Sequence, residues 1–296
     1  MNSTGTKPVI SVIIVNFNAG DALVRCVKSV LEQRVPVHIT VVDNASTDNS
    51  LAMLRQFTAG LDNIAIQANG ENLGFARAVN LAAAGLSGEG RKLLILNPDC
   101  EMLPGALSAL EAGLDGDPQA ALAGPLVVDK EGRPMRGTLR RFPDPWKAVL
   151  TFSGLWRLGR WMPAFAGVEI AEEIPAGAVQ AEAVSGACML IRQPEFLAIG
   201  CMDGNYGLHC EDLDLMYRLR QQGFHCLFVP AARVFHEQGV SSSSRPMWVH
   251  WQKHLGMQRF FVKFQAAGYA FPIRWLVILG IWLRFVLTLP LAWFRG

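Results

Sequence analysis

Residues 9–43 read VISVIIVNFNAGDALVRCVKSVLEQRVPVHITVVD, and this stretch decides the fold. Residues 9–16 form a continuous β-branched apolar run, which is typical of a strand buried on both faces. Residues 21–33 have apolar side chains at helical spacing, and residues 38–43 form a second strand-like run. A strand, a helix and a second strand in this order predict a βαβ unit with parallel strands.

The same alternation continues to about residue 130. It predicts an α/β fold with a mostly parallel central sheet and helices on both faces. Ligands of such sheets bind at the carboxyl ends of the strands. The further predicted elements are helices at 50–57, 75–84, 105–114, 211–222 and 246–266, strands at 63–68, 92–97, 183–192 and 225–229, and a final apolar segment at 271–294.

Residues 129–182 depart from this pattern because they are rich in proline, glycine, arginine and tryptophan. We interpret them as an excursion over the site, part loop and part short helix, that forms a lid on the acceptor side. The predicted organisation is therefore a catalytic domain over residues 1–245, which contains this excursion, and C-terminal helices over residues 246–296.

Composition limits the class of protein. The chain has 296 residues, of which 51% are hydrophobic and 18% charged, so it can bury a sizeable core. The six cysteines contain no Cys-x-x-Cys pair, and no apolar signal segment precedes the first strand-like run. Both features predict a reduced, cytoplasmic location. A zinc site from His209, Cys210, Cys226 and His236 is conceivable, but its spacing fits no standard zinc finger.

Two carboxylates follow predicted strands, where a ligand is expected. Asp43 can accept the N3–H of a uracil or thymine ring, or it can cap the next helix. Ser46 and Asp48 are better placed to cap, which favours the ligand role for Asp43. Asp99 follows a buried apolar run and Pro98. It fits a ligand of a hard divalent ion, and an ordinary Asx turn fits it equally well.

A third group of carboxylates opens the predicted helix at 211–222. Helical periodicity places Glu211, Asp214 and Arg218 on one face, which we expect to be exposed to solvent. Asp212 instead begins an apolar stripe that faces inward. A carboxylate at the head of such a stripe fits a general base. Partial burial is expected to raise its pKa towards the working range, while the helix start keeps it ionised.

Three other residues have two open interpretations each. His236 follows an apolar run and could bind a metal ion, although a lone histidine is more often structural. Arg140 and Arg141 could contact phosphate, although a solvated basic pair is the more common case.

Taken in order, the motifs resemble those of family 2 glycosyltransferases, and within them the bacterial rhamnosyltransferase-like group. The resemblance spans roughly residues 9–265 and depends on the order and spacing of the motifs. The matching stretches are VISVIIVNFN at 9–18, VVDNASTD at 41–48, NLGFARAVN at 72–80, LNPD at 96–99, RRFP at 140–143, SGACMLIR at 185–192, EDLDL at 211–215 and HEQGVS at 236–241.

The resemblance implies a GT-A fold that binds a nucleotide-diphosphate sugar and Mg²⁺ or Mn²⁺. It implies that Asp212 is the base of an inverting transfer and that Asp99 and His236 bind the metal ion. Asn97 stands where the first aspartate of the Asp-x-Asp motif is usual, so the ion has one anionic ligand fewer. The remaining implied contacts are Asp43, Arg77, Asn18 and Asn97 with the nucleotide, and Arg140, Arg141, Glu211 and His254 on the acceptor or diphosphate side.

The C-terminal 59 residues are basic and aromatic. All 25 acidic residues lie at or before Glu237, whereas seven arginines and lysines follow it. This asymmetry, together with the tryptophans, favours a membrane surface over nucleic acid as the partner. The segment at 271–294 is long enough to span a bilayer. Its arginines and Thr288 fall on one side of a helix and its tryptophans on another, which favours a helix lying in the membrane interface over a single span or a soluble core helix.

The region around 246–264 adds tryptophans, His254 and lysines, and it predicts a surface for a lipid-linked acceptor at the cytoplasmic face of the membrane. The sequence Gly200–Cys210 departs from the family's usual pattern and leaves the acceptor open. The resemblance favours L-rhamnose from dTDP-rhamnose as the sugar, with other UDP- or GDP-sugars as alternatives. A sugar-1-phosphate nucleotidyltransferase or a dehydrogenase would need a glycine-rich loop after the first strand, which is absent here. A membrane-docked protein without catalysis is the remaining alternative.

Overall fold

The structure is a computed structural model and describes residues 10–86, 92–147, 174–237 and 245–293, with side chains as far as Pro290. A nine-stranded sheet forms its centre, in the order β3-β2-β1-β4-β10-β6-β11-β5, with β8 paired to β11; β7 and β9 form a separate pair. The strands are β1 (Ile10–Asn16), β2 (Val37–Asp43), β3 (Ile64–Ala68), β4 (Lys92–Leu96), β5 (Cys100–Met102), β6 (Ala120–Val128), β7 (Leu139–Arg140), β8 (Val179–Ala181), β9 (Ala183–Val184), β10 (Cys188–Arg192) and β11 (His225–His236).

One half of the sheet is parallel, as the sequence predicts. β1 pairs in parallel with both β2 and β4, and β2 pairs in parallel with β3. All seven residues of β1 are buried, which explains its unbroken apolar run. The register sets Asn16 opposite Asp43, so the carboxyl ends of β1 and β2 lie side by side.

The other half of the sheet is mixed. β10 is antiparallel to both β4 and β6, whereas β11 is parallel to β6 and antiparallel to β5. β11 runs for 12 residues, with a register shift between Val229 and Arg233, where the sequence predicts a strand of only five. Its extension pairs His236 with Cys100 of β5. This pairing brings the end of β11 next to the segment that follows β4.

Helices cover both faces of the sheet, which confirms that prediction. One core contains the buried faces of α3 and α6, and the other contains those of α1 and α4. The helices are α1 (Ala22–Leu31), α2 (Ser50–Phe57), α3 (Phe75–Ala84), α4 (Ala106–Gly116), α5 (Gln193–Ala198), α6 (Glu211–Gln221), α7 (Pro246–Phe264) and α8 (Phe271–Trp293), with a 3₁₀ turn at Ala266–Gly268.

The two C-terminal helices pack against each other and against α6. Phe260 of α7 lies 5.5 Å from Tyr217 of α6, measured between ring centroids. On the side towards α8, the ring centroids of Trp251 and Trp282 lie 4.7 Å apart, and the Trp282 Nε1–H donates to the Gln258 side chain. α8 therefore lies along α7.

The predicted polar side of α8 has a different environment from the one expected. Arg284 and Thr288 share one side of the helix, as expected, but this side faces α7, and the Arg284 guanidinium donates to the Met257 sulfur of that helix. Thr288 contacts the His250 ring, and Trp282 is also turned towards α7. Packing between the two helices thus takes up the polar side, and a different, apolar face stays exposed. Arg295 and the side chain of Trp293 lie outside the described residues.

The excursion at 129–182 is described only at its two ends. The first end contains β7, and the second contains β8. The strand β9, which pairs with β7, follows directly after the excursion. The tryptophans predicted to form part of the excursion, Trp156 and Trp161, lie outside the described residues.

Candidate active site

The loops after β1 and β2 are joined by a buried network of hydrogen bonds. The Asn16 side-chain amide donates to Asp43 Oδ1 at 2.6 Å and to Ser50 Oγ at 2.8 Å. The Ser46 backbone N–H donates to the other Asp43 oxygen at 3.1 Å. Asp43 is only 2% exposed. The predicted nucleotide contact therefore has its carboxylate orientation fixed from both sides.

Asn18 and Arg77 lie around this network and make different contacts. Asn18 Oδ1 accepts the backbone N–H of Thr47 at 2.7 Å, which ties the β1 loop to the β2 loop. Arg77 is exposed on α3, and its Nε donates to the Gly204 carbonyl at 2.8 Å. The structure thus brings Asn18 and Asp43 together through neighbouring loop residues, whereas the hydrogen bond of Arg77 goes to the segment that precedes α6.

A histidine and a carboxylate meet beyond β4. His236 Nε2, at the end of β11, lies 3.1 Å from Asp99 Oδ1, and the two side chains are 12% and 9% exposed. The Glu237 N–H donates to the Asp99 carbonyl at 3.0 Å. Although 137 positions separate them in the chain, these two residues are held together by the pairing of β11 with β5.

The Asp99–His236 pair has the spacing of two metal ligands. An octahedral ion about 2.1 Å from each of two neighbouring ligand atoms separates those atoms by about 3.0 Å. The Cys100 sulfur lies within the same group of atoms. However, its thiol donates to the Ala187 carbonyl at 3.6 Å, and burial, followed by the charge of Asp99, raises the pKa of the thiol well above the usual value. Sulfur is also a soft ligand that does not suit a hard divalent ion.

All six cysteines are free thiols. The group of potential metal ligands found among the described residues combines His236 with Asp99 and Cys100. The zinc site considered from the sequence, with His209, Cys210 and Cys226 around His236, does not form there.

Arg25 of α1 forms ion pairs with residues close to Asp99 and His236 in the chain. Its Nε donates to Glu101 of β5 at 2.9 Å, and its guanidinium also pairs with Glu237, the residue after His236. One arginine thus connects the strand after Asp99 with the residue after His236. The sequence analysis missed this role because Arg25 occurs on a helix whose other features are those of an ordinary amphipathic segment.

Asp212 lies at the start of α6 and pairs with Arg140 of β7. The Arg140 Nη2 donates both to Asp212 Oδ2 and to the Val184 carbonyl, each at 2.5 Å. Asp212 Oδ1 accepts the N–H of Leu213 at 2.8 Å. Burial alone would raise the pKa of Asp212, but the charge and hydrogen bond of Arg140 outweigh burial and lower it. The expected upward shift is therefore wrong, because the periodicity of the helix does not reveal that Arg140, from a distant strand, lies beside Asp212.

Gly186 allows Asp212 to lie against the turn before β10. A Cβ atom at Gly186 would come within 2.6 Å of Asp212 Oδ2 and 2.7 Å of its Cβ. The next residue, Ala187, accepts the Asn97 N–H at 2.9 Å. The segment from Gly186 to Ala187 thus bridges the two parts of the site. It touches the proposed base on one side and the segment that leads to Asp99 on the other.

The other two carboxylates of α6 are not exposed, contrary to the prediction. Asp214 is fully buried and pairs with Arg218 and with Lys263 of α7. Glu211 is 9% exposed, and its Oε2 has no hydrogen-bond partner among the described residues. Burial and the neighbouring charge of Asp212 raise the pKa of Glu211. Packing of α7 and of the β7 segment on α6 removes the face that periodicity assigned to solvent.

Two residues predicted on the acceptor side have different surroundings. His254 is fully buried, its Nδ1 lies 2.8 Å from the His250 carbonyl, and its ring lies 5.3 Å from Phe285 of α8. Burial lowers its pKa to about 4, so the ring is neutral and unsuited to bind an anion. The packing of α8 on α7 explains this correction. Arg141 is partly exposed directly after Arg140.

The Asp99–His236 pair and the Asp212 carboxylate thus lie on either side of Gly186 and Ala187. The family model for glycosyl transferase family 2 matches residues 11–168, more than half of the chain. The protein therefore belongs to glycosyl transferase family 2 and is a glycosyltransferase, as its motifs indicate.

Relatives match most of the chain. The protein is 27% identical to the N-acetylglucosaminyl-diphospho-decaprenol L-rhamnosyltransferase of Mycobacterium tuberculosis. The match extends over 281 residues and covers 90% of this chain and 88% of that protein. It is 25% identical to the rhamnosyltransferase WbbL of Escherichia coli, over 77% of this chain and 83% of the other. The mannosyltransferase PcManGT from Pyrobaculum calidifontis, in complex with GDP-Man and Mn²⁺, superposes with a TM-score of 0.60 at 17% identity, over 98% of this chain and 73% of the other. The fold is GT-A, as predicted.

Proposed function

We propose that this glycosyltransferase transfers L-rhamnose from dTDP-rhamnose to a hydroxyl of a lipid-linked acceptor, with inversion at the anomeric carbon, in the synthesis of a cell-surface glycan. The observation that carries this proposal is the placement of the Asp99–His236 pair and of Asp212 on either side of Gly186 and Ala187. Two rhamnosyltransferases among the relatives support the choice of sugar.

The donor nucleotide is assigned to the carboxyl ends of β1 and β2. Asp43 is held by Asn16 and Ser46, and an ionised carboxylate fixed in this way can accept the N3–H of thymine. Asn18 shapes the same loop through its hydrogen bond to Thr47. In this proposal, Arg77 and Asn97 complete the nucleotide side.

Asp99 and His236 would hold the divalent ion. A carboxylate oxygen and an imidazole nitrogen 3.1 Å apart fit two adjacent positions of its coordination shell. The imidazole favours Mn²⁺ over Mg²⁺, since nitrogen ligands suit transition-metal ions better than magnesium. When bound, the ion offsets negative charge on the departing nucleoside diphosphate.

Asp212 is the proposed general base. As the acceptor oxygen forms its bond to the anomeric carbon, the hydroxyl proton passes to the Asp212 carboxylate. The bond from the anomeric carbon to the phosphate oxygen breaks, and its electron pair leaves with dTDP. A single displacement from the opposite face inverts the configuration, through an oxocarbenium-like transition state.

α8 supports a location at the membrane surface. It is the one helix in the described part of the chain that is long and apolar enough to cross a bilayer, over Phe271–Pro290. However, one side of it packs on α7, which is itself packed on α6. Only the opposite side is exposed, and this favours a monotopic helix in the interface over a span. We place the protein at the cytoplasmic face of the inner membrane.

The function is tested with a panel of donors and one substitution. We expect dTDP-rhamnose to be hydrolysed slowly in the presence of Mn²⁺, faster than UDP- or GDP-sugars, and a chelator to stop the reaction. With a polyprenyl-diphosphate-linked N-acetylglucosamine in vesicles, Asp212→Asn should lower transfer by about 10²–10⁴-fold, because a general base contributes that much. Binding of dTDP should stay unchanged.

Asp62→Asn is the matched control, since Asp62 is an exposed carboxylate away from the site. Preference for another donor would overturn the assignment of rhamnose. Turnover of Asp212→Asn near that of the unmodified protein would overturn the base. Binding of nucleotide sugar without turnover of any donor would support the alternative of an inactive binding protein.

A further inference from the structure

Arg140 is the charged residue that the sequence analysis left between two interpretations. Its guanidinium is mostly buried, with 19% of the side chain exposed, and Asp212 is 15% exposed. The same nitrogen, Nη2, donates to Asp212 and to the Val184 carbonyl of β9, the strand that pairs with β7. The arginine is therefore anchored to a strand while it holds the carboxylate.

The other titratable groups near Asp212 belong to α6, to the loop before it and to α7. Glu211 precedes it on α6, and its buried carboxyl has an unpartnered Oε2 among the described residues. His209 and Cys210 lie in the loop before the helix, and Lys253 of α7 acts on both of them. The Asp212 carboxylate accepts its charged hydrogen bond from Arg140.

We propose that Arg140 is a positioning residue for the general base: it fixes the orientation of the Asp212 carboxylate and keeps it ionised, rather than binding the donor diphosphate. This inference rests on the proposed role of Asp212. The Leu213 N–H holds one carboxylate oxygen and Arg140 holds the other. The carboxylate can then turn little, and its remaining lone pairs face a fixed direction.

The geometry favours this role over a contact with phosphate. To reach a diphosphate with the same nitrogen, Arg140 would have to leave both Asp212 and the Val184 carbonyl. Asp212 would then be buried without a counter-ion beside Glu211, and an unpaired buried charge is costly. Gly186 lies directly against Asp212, which leaves the carboxylate little room to find another partner.

The pairing predicts a pH dependence of definite sign. A general base acts only when ionised, so activity is present above its pKa and is lost as the pH falls through it. Arg140 lowers the pKa of Asp212 against the opposing effect of burial. Without the arginine, the Leu213 N–H still holds the carboxylate, but the largest opposition to burial is gone, so the pKa rises and activity is lost at a higher pH. An opposite charge at this distance shifts a carboxyl pKa by about 1–3 units.

The experiment measures kcat/KM for transfer against pH in Arg140→Gln, Arg140→Lys and the unmodified protein. We expect the acidic limb of the Arg140→Gln profile to move up by about 1–3 pH units. Its activity should recover substantially at pH 9, and its KM for donor should stay within about two-fold. Arg140→Lys should keep the limb near its original position. Arg133→Gln, an exposed arginine of the same region, is the control and should change nothing.

The outcomes separate this inference from the proposed function. A rise in KM for donor with an unmoved acidic limb would show a diphosphate contact and overturn the inference. A loss that is uniform across pH, with an unchanged thermal midpoint, would also overturn it. If Asp212→Asn is inactive while either result holds, Asp212 remains the base and only Arg140 is reassigned. Glu211→Gln checks which carboxyl titrates: a shift of the limb in this variant equal to that in Arg140→Gln would assign the limb to Glu211 and contradict the inference.

Discussion

At the residue scale, Asp212 differs from its two neighbours by its partners. Asp214 is neutralised by Arg218 and Lys263 and is fully buried, so no acceptor can reach it. Glu211 has a raised pKa, and its Oε2 has no hydrogen-bond partner among the described residues, which suits a protonated group better than a base. Asp212 is ionised, held by Arg140 and still partly exposed. Helical periodicity selected the same residue but gave a wrong account of the other two.

The close approach of Gly186 to Asp212 can be tested by substitution. A methyl group there would overlap Asp212 Oδ2, at 2.6 Å, so Gly186→Ala must displace the carboxylate or the turn. Because a misplacement of about 1 Å costs on the order of 10²-fold in rate, we expect kcat for transfer to fall by roughly that factor. Binding of dTDP, measured by calorimetry, should stay unchanged, since Asp43, the proposed contact of the thymine ring, lies at the end of β2.

Gly177→Ala is the control for this substitution. No atom lies within 4 Å of the position that its Cβ would occupy. It should therefore retain full activity and the same melting temperature. A Gly186→Ala protein with normal kcat would show that the close approach to Asp212 does not matter for transfer.

Part of the site could be predicted from the sequence at this scale. Asp43, Asp99 and His236 follow apolar strands, and the ends of strands are where α/β sheets bind ligands. The pairing of Arg140 with Asp212 could not be predicted, because 72 positions separate the two and charges in contact leave no periodic pattern. The burial of His254 depends on how α8 packs on α7, and the sequence of α7 alone does not reveal this packing.

At the scale of elements, α7 connects the helix that carries Asp212 with the segment that carries Arg140. Gly256 of α7 lies against the loop before α6, where an added Cβ would come within 2.7 Å of the His209 carbonyl. Gln265, which follows α7, donates to the Pro143 carbonyl, and Phe142 contacts Tyr217 of α6. The same helix thus supports both members of the Arg140–Asp212 pair.

Lys263 tests how much this support contributes to stability. Its ammonium donates to Asp203 at 2.8 Å and to the fully buried Asp214 at 2.5 Å. Lys263→Met leaves Asp214 with Arg218 alone, and hydrogen bonds to charged groups contribute about 1.5–3 kcal/mol. We expect the free energy of unfolding to fall by about 2 kcal/mol, and the melting temperature by roughly 3–8 °C. Calorimetry measures both.

Lys28→Met provides the comparison, because Lys28 forms an exposed pair with Glu32 within α1. Exposed pairs of this kind contribute about 0–1 kcal/mol, so its melting temperature should barely change. Equal melting temperatures for the two variants would show that the contact between α7 and α6 does not depend on this lysine.

The parallel strands were predictable as elements, whereas β6 was not. Its Gly124-Pro125 step resembles a turn, yet the strand continues through it, buried throughout. The pairing with β10 involves Leu122 and Ala123, so the proline, which has no N–H, follows the last paired position on that side. Gly124 is needed because a Cβ there would overlap Val184 at 2.4 Å. The Gly124-Pro125 dipeptide therefore does not mark a turn, and its glycine makes room for Val184 of β9.

At the scale of the whole molecule, the acidic and basic parts of the sequence occupy different structural roles. All 25 acidic residues lie at or before Glu237, in the part of the chain that contains the sheet, and the chain beyond Glu237 has none. α8 turns its polar side chains towards α7 and leaves an apolar face exposed. This face includes Leu276, Leu279, Leu283, Val286 and Leu287, each at least 55% exposed. The exposed face of α8 is therefore apolar, and the charged residues of the chain beyond Glu237 are all basic, which suits an anionic membrane.

The last prediction tests this surface with Leu279→Glu combined with Leu283→Glu. The two leucines are one helical turn apart on the exposed face, so the substitutions add charge there without removing contacts with α7. We expect the protein to move from sedimented anionic vesicles to the supernatant, and transfer to the vesicle-bound acceptor to fall in proportion. Hydrolysis of the soluble donor should persist, because Asp99, His236 and Asp212 are held by other elements.

The control combines Leu81→Glu with Leu197→Glu. These are two exposed leucines on α3 and α5, so the substitutions add the same charge elsewhere. If the α8 variant still sediments with vesicles as the control does, the exposed face of α8 is not the membrane-binding surface.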